Sequence, residues 1–253
     1  MLEEVARITE EAGRIADRRC GTDFKSWEKT PGQPVCDVDL EVDSFLNAHL
    51  RALDPDAGWL SEETLDLSDR IERRRLWVID PIDGTRDYLR RRPGWCVSVA
   101  LVEDRVPILG VLAAPARGEL WSASVGQGSW RNGEPLRVSP RRELAGARVP
   151  ADQLPPEDSD LIAVDRPNSI ALRIAMVAAG EADLVATLRW GFEWDIAAAA
   201  LIAEEAGATV TGALGQPLAF NTASGEAFGM LAATPGIHSA AVERLRERAL
   251  ALV

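Results

Sequence analysis

Two aspartates, with a proline between them, follow an apolar run in the stretch LWVIDPIDGT. Asp80 ends a predicted strand, and Pro81 cannot continue a strand ladder, so the chain must turn there. Asp83 then lies one tight turn after Asp80, and both carboxylates can converge on one point with the backbone carbonyl of Ile82. Hard oxygen donors at this density suit Mg²⁺ or Mn²⁺.

The same stretch also offers groups that bind an anion. Gly84 and Thr85 come at a predicted helix start, where backbone N–H groups have no partner within the helix and can bind a phosphate oxygen. A simpler interpretation remains open for the stretch alone, in which Asp83 caps the helix and Asp80 is solvated. The residue types therefore suggest either a metal-assisted phosphate site or an ordinary helix cap.

Further acids lie in two other segments. LSEET places Glu62 and Glu63 just before the strand, and EWDIAAA places Asp195 at the start of a predicted helix late in the chain. Each of them, taken alone, would be interpreted as a surface acid or a helix cap. Only their combination with DPIDGT suggests a common site.

Predicted helices and strands mix along the chain and must position these acids. An apolar period predicts a helix over residues 2–20, and the acids of CDVDLEVD begin a second helix. The apolar positions of that second helix are Val42, Phe45, Leu46, His49, Leu50 and Leu53. His49 is accordingly predicted to pack within it. Apolar runs such as WCVSVALVED predict strands, and GQGSW predicts a turn. The mixture predicts an α+β fold in layers, with halves that span 1–140 and 141–253.

Composition narrows the class of protein. Apolar residues make up 46% of the 253 residues, which suffices for a sizeable core, and a net charge of −12 disfavours a nucleic-acid polymer as partner. The three cysteines show no CxxC spacing, which indicates reduced thiols. The acidic N-terminus is unlike a signal peptide, and no apolar stretch approaches the roughly 20 residues of a membrane span. We therefore expect a cytoplasmic protein without integral membrane association.

Three separated motifs, LSEE, WVIDPIDGT and WDIAAAALIAEEAG, resemble in their order the inositol monophosphatase superfamily of Mg²⁺-dependent phosphatases. The resemblance covers nearly the whole chain, because PVCDVDLEVDSFL, GQGSWRNGEPLRVS and AGEADL match further segments of the family. It implies a layered α-β-α-β-α sandwich of the inositol monophosphatase and fructose-1,6-bisphosphatase type. It also implies a metal-dependent phosphoric monoester hydrolase with two or three Mg²⁺ per active site, for which Mn²⁺ could substitute. A homodimer is compatible with it.

The resemblance assigns the metal ligands residue by residue. Glu62 corresponds to the acid that bridges a metal and the attacking water. Asp80, Asp83 and the carbonyl of Ile82 correspond to the ligands that two metals share. Asp195 corresponds to the remote carboxylate of the second metal. The implied reaction is in-line hydrolysis of a phosphate monoester, without a covalent enzyme intermediate.

Other matched positions concern the water and the phosphate. Asp39 corresponds to the acid that, with Thr85, activates the water or holds a third metal, and Gly84 and Thr85 match the phosphate-binding amides. Lys29 is the candidate for a lysine that the family places in an upstream mobile loop. The chain departs from the family at Cys36, where a threonine is usual, and activity is expected to survive this change. Asp39 is chosen over the neighbouring Asp37 because of its spacing to SEE.

The substrate is less clearly indicated. Inositol-specific members carry a glutamate where this chain has Leu188, whereas DGTRDYLRRR resembles the 3′(2′),5′-bisphosphate nucleotidase branch, which acts on adenosine 3′,5′-bisphosphate in sulfate assimilation. Arg86 and the run Arg90–Arg92 are candidates to meet a second phosphate, and Arg189 and Trp190 lie where a substrate base could stack, although a packed tryptophan is the simpler interpretation. The run Arg90–Arg92 is more simply interpreted as a solvated face. Inositol-1-monophosphatase activity and a non-catalytic metal-binding relative remain the alternatives.

Overall fold

The structure, a computed structural model, describes residues 1–64 and 68–252. Its helices are α1 (Leu2–Cys20), α2 (Asp37–Leu53), α3 (Thr85–Leu89), α4 (Ile170–Ala178), α5 (Glu193–Glu205) and α6 (Pro235–Leu250). Its first strands are β1 (Ser26–Thr30), β2 (Gln33–Cys36), β3 (Gly58–Ser61), β4 (Arg75–Asp83), β5 (Cys96–Glu103), β6 (Val106–Ala114) and β7 (Glu119–Ser124). The others are β8 (Ser129–Arg131), β9 (Glu134–Pro135), β10 (Arg148–Pro150), β11 (Ile162–Val164), β12 (Leu184–Phe192), β13 (Thr209–Thr211) and β14 (Glu226–Ala233).

The strands form one large sheet and several smaller ones. Seven strands pair in the order β3-β4-β5-β6-β7-β8-β9, and only the β3–β4 pair is parallel. A second sheet has the antiparallel order β12-β14-β13. The hairpin β1–β2 and the parallel pair β10–β11 complete the set. The predicted division of the chain at residue 140 falls between the two main sheets and stays a prediction.

The layers follow from strands that are apolar on both faces. On β4, Trp77 and Ile79 pack against α1 and α2, whereas Leu76 and Val78 face the opposite way, toward α4 and α5. Helices α4 and α5 are covered on their other side by β12 and β14, and α6 packs on the far side of that second sheet. The order is helix, sheet, helix, sheet, helix, which confirms the predicted α-β-α-β-α sandwich.

A close approach between α5 and the large sheet depends on small residues. The alanines that follow Ile196 put little volume between the two sheets, and Gly110 of β6 lies directly under Ala198. A Cβ atom at Gly110 would come within 2.6 Å of the Ala198 carbonyl oxygen. This packing fixes the height of α5 above the sheet, and with it the position of Asp195 in the first turn of that helix.

Two local predictions are wrong. His49 lies on the exposed side of α2, where its ring contacts that of Phe45 at a centroid distance of 4.1 Å, instead of packing in the core. The helical period placed His49 at the edge of the apolar stripe, where a small rotation of the helix about its axis determines whether the side chain is buried or exposed. Strand β4 does not end at Asp80, because it continues to Asp83 through an irregularity in its pairing with β5.

The GQG segment forms a turn, as predicted, and its amides bind a carboxylate of the chain itself. Gly126 and Gly128 both have positive φ, and their N–H groups donate to the two oxygens of Glu205 at 2.7 Å each. Glu205 lies at the end of α5. These bonds connect the β7–β8 turn to that helix. They also occupy the two backbone N–H groups that would otherwise be available to bind a phosphate.

A buried aspartate joins the connection between the two sheets to the start of β12. Asp183 accepts hydrogen bonds from the Ser139 hydroxyl at 2.5 Å and from Nε of Arg141 at 3.1 Å. It also accepts from the backbone N–H of Arg148 at 2.9 Å and from the Arg148 guanidinium at 2.8 and 3.0 Å. Burial opposes ionisation of Asp183, but the bonds from Arg148 and Ser139 outweigh it and hold its pKa well below the ordinary 3.8.

Asp183→Asn is expected to lower the free energy of unfolding by roughly 2–3 kcal/mol at pH 7, since it weakens several bonds between a buried carboxylate and charged donors. A carboxyl with a lowered folded-state pKa adds stability above its unfolded pKa and loses it as pH falls toward the folded one. The gap between parent and variant should therefore close below about pH 4. Urea unfolding at several pH values measures it. Asp69→Asn, at an exposed ion pair, should change stability by less than about 0.5 kcal/mol, and an equal loss there would contradict the role of Asp183.

The helices of the described chain are too short or too polar to cross a membrane. The cytoplasmic location stays a prediction. The three cysteines are free thiols, with Cys36 and Cys96 buried and Cys20 half-buried.

Candidate active site

The turn between the two aspartates of DPIDGT is a bulge in β4. Asp80 lies opposite Ser98 on β5, whereas Asp83 lies opposite Cys96, so β4 carries one residue more than its partner between these two pairs. Oδ1 of Asp80 accepts the N–H of Ile82 at 2.9 Å, which stabilises the bulge. The bulge turns both carboxylates toward the same side of the strand end.

Three carboxylates from two elements converge at this point. Asp80 and Asp83 from β4 and Asp195 from α5 each offer an oxygen, and these oxygens lie within 4.8 Å of one another. Asp195 is held near the helix start, where its Oδ2 accepts the N–H of Phe192 at 3.4 Å. The predicted cluster of these acids is therefore present in the structure.

The electrostatics of the cluster fit a cation. Burial raises the pKa of Asp80 well above its ordinary value, and the nearby charges of Glu62, Asp83 and Asp195 raise it further. Burial likewise raises the pKa of Asp83 to about 6 and that of Asp195 well above the ordinary value. Buried oxygens that repel one another this strongly fit a divalent metal ion, which would offset their charge.

Glu62 lies beside this group and next to Lys29. It lines the same cavity as the aspartates, and its Oε1 accepts from Lys29 Nζ at 3.2 Å. Lys29 also contacts Glu63 at 2.5 Å, so the hairpin β1–β2 reaches over the SEE segment. Burial disfavours the charge of Lys29, but the two carboxylates outweigh it and raise its pKa. The sequence-based candidate lysine is thus at the site.

Asp39 has one oxygen without a partner. Its Oδ2 accepts from the backbone N–H of Cys36 at 2.8 Å and from the Cys36 thiol at 2.9 Å, while its buried Oδ1 has no hydrogen bond. Cys36 thus caps α2 together with Asp39. Asp37 instead turns toward Arg19 on α1, at 3.7 Å. In the part of the chain that the structure describes, the buried Oδ1 atoms of Asp37 and Asp39 both lack a hydrogen bond, but that of Asp37 faces Arg19, whereas Asp39 is held in place by Cys36. Burial raises the pKa of Asp39 to about 6.

The phosphate-binding candidates begin helix α3. Gly84 has a φ of +96°, and a Cβ there would come within 2.7 Å of the Gly94 carbonyl oxygen, so only glycine fits. The Thr85 hydroxyl donates to the carbonyl oxygen of Ile82 at 3.1 Å. No hydrogen bond joins Thr85 directly to Asp39 among the described residues, so their proposed joint action on a water stays a prediction.

The cavity that contains the acids is also lined by basic side chains. Its volume is about 1270 Å³, and Arg166, Arg173 and Arg189 line it together with Lys29. Arg173 is half-buried and donates to the carbonyl oxygens of Pro167 and Ser169 at 3.0 and 3.2 Å. Burial, with Arg166 and Arg189 nearby, lowers the pKa of Arg173 to about 10. The cavity therefore carries basic side chains as well as the acidic cluster.

The candidate substrate arginines differ in their contacts. Arg189 is exposed, and no carboxylate of the described chain forms an ion pair with it. Arg86 lines the cavity but donates to the Gly32 carbonyl oxygen at 2.8 Å, which anchors the tip of the β1–β2 hairpin. Arg90–Arg92 is exposed and does not line the cavity, in agreement with a solvated face. Trp190 is 56% exposed and contacts Phe228 edge to face.

Several residues of the site were missed by the sequence analysis. Arg166 and Arg173 follow no motif that the chemistry requires, so nothing in their spacing marked them. Ser169 precedes the apolar run of α4, which indicates a helix cap but not its contact with Asp83, at 2.5 Å. Asp43 accepts from the hydroxyls of Ser61, at 2.5 Å, and Thr64, and it thereby holds the SEE segment.

A buried network also holds the start of α5. Glu193 accepts from the N–H groups of Asn221 and Thr222 at 2.6 and 2.8 Å. The amide oxygen of Asn221 accepts from Arg70 at 2.7 Å, next to the segment that follows SEE. These bonds connect the segment of Arg70, which precedes β4, with the start of α5. Nothing in the sequence separates Glu193 from an ordinary acid at a helix start.

Comparisons with known proteins identify a family that the chain matches. The model of the inositol monophosphatase family matches residues 1–249. The Nus factor SuhB of Xylella fastidiosa is 40% identical over 190 residues, which cover 69% of this chain and 67% of the relative. The 3′(2′),5′-bisphosphate nucleotidase CysQ of Escherichia coli K12 is 31% identical over 233 residues, which cover 86% of this chain and 93% of CysQ.

Solved structures are similar over almost the whole chain. An IMPase from Thermotoga maritima has a TM-score of 0.83 at 28% identity, covering 97% of this chain and 96% of its own. The extragenic suppressor protein suhB from Bartonella henselae has a TM-score of 0.84 at 26% identity, with coverage of 97% and 98%.

Proposed function

This chain belongs to the inositol monophosphatase family and is a metal-dependent phosphoric monoester hydrolase, and we propose that its substrate is a small bisphosphorylated nucleotide. The proposed activity is that of a 3′(2′),5′-bisphosphate nucleotidase, which converts adenosine 3′,5′-bisphosphate to AMP. The proposed cofactor is Mg²⁺, two or three ions per active site, with Mn²⁺ as a substitute.

The observation that carries the substrate proposal is the set of arginines that line the cavity. With a phosphate at Gly84 and Thr85, the rest of the substrate would occupy the same cavity, which Arg166, Arg173 and Arg189 line. Of these, Arg189 lacks a carboxylate partner in the described chain, so its charge is available to a second phosphate. A simple monophosphate has no second phosphate group that could bind the Arg189 guanidinium.

Two further side chains support a nucleotide. Leu188 is half-buried and lines the cavity at the position where inositol-specific relatives have a glutamate, and it cannot bond sugar hydroxyls. Trp190 is exposed at the rim and presents an aromatic face to a base. These two residues argue against the alternative of an inositol-1-monophosphatase, which the similarity to inositol monophosphatases otherwise supports.

In the proposed mechanism, Glu62, Asp80, Asp83, Asp195 and the carbonyl of Ile82 hold the metals. When bound, the ions would neutralise the phosphoryl charge and lower the pKa of the attacking water. Glu62 orients this water and accepts its proton, while Lys29 holds the Glu62 carboxylate in place through its contact with Oε1.

The remaining groups hold the phosphate and the water. The N–H groups of Gly84 and Thr85 bind the phosphoryl oxygens, whose charge grows in the transition state. Asp39 and Thr85 are proposed to help activate the water, or Asp39 holds a third ion through its unpaired Oδ1. The complete acid set argues against a non-catalytic metal-binding relative. A homodimer and a cytoplasmic location remain part of the proposal.

Arg189→Ala tests the proposed substrate. It should lower kcat/KM for adenosine 3′,5′-bisphosphate by roughly 10- to 100-fold, mainly through KM, because a charge-assisted bond to phosphate is worth about 1.5–3 kcal/mol. It should change kcat/KM for inositol 1-phosphate or p-nitrophenyl phosphate by less than about 3-fold. Phosphate release with Mg²⁺ measures all three.

Arg90→Ala removes the same charge from an exposed position outside the cavity and is the matched control. A parent enzyme that prefers inositol 1-phosphate to the nucleotide would contradict the proposed substrate. Equal losses on all substrates in Arg189→Ala would contradict the role of Arg189 alone.

A further inference from the structure

We propose, on the basis of the metal-binding role proposed above for Asp83, that Ser169 is the positioning residue of this carboxylate. It holds Oδ2 and leaves Oδ1 as the oxygen that binds the metal. Ser169 lies in the segment before α4, far from DPIDGT in the sequence, and is fully buried.

Asp83 is bound by the start of α4 through one of its oxygens. Oδ2 accepts the Ser169 hydroxyl at 2.5 Å and the N–H of Ala171 at 2.7 Å. Among the described residues, Oδ1 accepts a hydrogen bond only from the N–H of Ile170, at a longer 3.3 Å. Since each carboxylate oxygen has two lone pairs, both lone pairs of Oδ2 are used, whereas Oδ1 keeps one that can bind a metal.

The neighbours of Ser169 determine the acceptor to which its hydroxyl proton is donated. A serine hydroxyl has one proton and two lone pairs. One lone pair accepts the N–H of Leu172 at 2.9 Å, and the Cys96 thiol lies 3.4 Å away on the other side. An ionised carboxylate can only accept, so the hydroxyl proton points to Asp83 and the thiol donates to the second lone pair.

The segment that carries Ser169 is itself held in place. Its N–H donates to the Gly94 carbonyl oxygen at 2.8 Å, and the N–H of Asn168 donates to Oδ2 of Asp87 at 3.2 Å. A Cβ at Gly84 would come within 2.9 Å of the Ser169 nitrogen, so the two segments are in close contact. The serine therefore fixes the direction of the Asp83 carboxylate relative to the phosphate-binding amides.

A simpler role for Ser169 is to cap α4, since its hydroxyl accepts the Leu172 N–H. The two roles predict different measurements. A cap contributes to stability with or without metal. A positioning residue changes the affinity for the metal, and removing such a hydrogen bond to a metal ligand typically costs 10- to 100-fold in affinity.

The test is the dissociation constant for Mn²⁺, measured by electron paramagnetic resonance of the free ion on the full chain without substrate. Ser169→Ala and Ser169→Gly should both raise it by roughly 10- to 100-fold. Glycine is nearly as good as serine at a helix cap, whereas alanine is not, so only Ser169→Ala should also lower the melting temperature of the metal-free protein clearly. Ser169→Thr, which keeps the hydroxyl, should restore most of the affinity.

Unchanged Mn²⁺ affinity in both variants, with a lower melting temperature in Ser169→Ala, would reduce Ser169 to a helix cap and overturn the inference while the metal site stood. A parent protein that binds no Mn²⁺ would overturn the metal role of Asp83 and this inference with it. Tighter binding in Ser169→Gly would also contradict it.

Discussion

Replacing Asp80 by asparagine is expected to stabilise the metal-free protein and to abolish the stabilisation that Mg²⁺ gives the parent. Asp80 is buried, and burial and the charges of Glu62, Asp83 and Asp195 raise its pKa. When the metal-free parent folds at pH 7, Asp80 must therefore either take up a proton or stay ionised beside the other carboxylates, and both cost free energy. The neutral amide of asparagine avoids both costs. In the parent, an ion that binds only the folded state raises the melting temperature.

The stability that Asp80→Asn gains over the parent without metal should increase as the pH rises. A carboxyl whose pKa is raised by folding favours the folded state at low pH and loses that contribution as pH rises toward the folded pKa. Parent and Asp80→Asn should therefore melt at similar temperatures near about pH 4. At pH 8 the variant should melt higher by several degrees, since 1 kcal/mol corresponds to roughly 2–4 °C in a chain of this size.

The same variant should lose turnover by roughly 10³-fold or more, because the charge stabilisation that a metal supplies is worth several kcal/mol. Asp56→Asn is the matched control, since it makes the same change at an exposed position. Thermal melting with and without Mg²⁺, at several pH values, provides the comparison. Equal Mg²⁺-induced shifts in Asp80→Asn and Asp56→Asn would show that the ion acts elsewhere.

Glu62→Gln is expected to lower kcat by roughly 10²- to 10⁴-fold, which is the usual contribution of a positioned general base. The amide cannot accept the proton of the water, yet it can still accept from Lys29, whose Nζ lies 3.2 Å from Oε1. The fold should therefore be kept, and KM should change little. Single-turnover phosphate release with saturating Mg²⁺ measures the chemical step itself.

Glu63→Gln makes the same change one residue away. Glu63 also contacts Lys29, but it does not line the cavity, and burial raises its pKa to about 7. Its substitution should cost less than about 10-fold in kcat, because Glu63 holds Lys29 without touching the water. If Glu63→Gln proved the more damaging of the two, the base would have been assigned to the wrong glutamate.

The centre of the site could be predicted from the sequence because its residues are close together along the chain. DPIDGT contains its own turn, so the proximity of Asp80 and Asp83 follows from Pro81 and a short spacing. The position of Asp195 does not follow from spacing, because it depends on how α5 packs over the large sheet. Only the resemblance of the three motifs to a known family indicated that Asp195 belongs to the same site. In the structure, Asp195 lies beside Asp80 and Asp83.

Two of the arginines that line the cavity could not be predicted from the sequence. Arg166 and Arg173 belong to no motif, and only the tertiary fold brings them to the same cavity as Arg189, which the sequence had singled out. Arg86 was singled out by its place after DGT, but its guanidinium holds the β1–β2 hairpin at Gly32. A motif predicts which residues are near a site, whereas the partner of a long side chain depends on every element around it.

Errors in local structure had similar causes. The helical period of α2 is genuine, but it could not decide between the buried and the exposed edge of the stripe at His49. Strand β4 extends to Asp83 because cross-strand pairing with Cys96 resumes after the bulge, which a single strand cannot reveal. Cys36 was noted as a departure from threonine, and its thiol nonetheless fills the capping role at Asp39.

The most direct measurement is an anomalous difference map from crystals grown with Mn²⁺. We expect one or more peaks among the carboxylate oxygens of Asp80, Asp83 and Asp195, at the distances of about 2.0–2.2 Å that are typical of such ligands. We also expect the nearer oxygen of Asp83 to be Oδ1. A map with Mn²⁺ bound only at other positions, or with none at these acids under conditions that support turnover, would contradict the central claim that they form the metal centre.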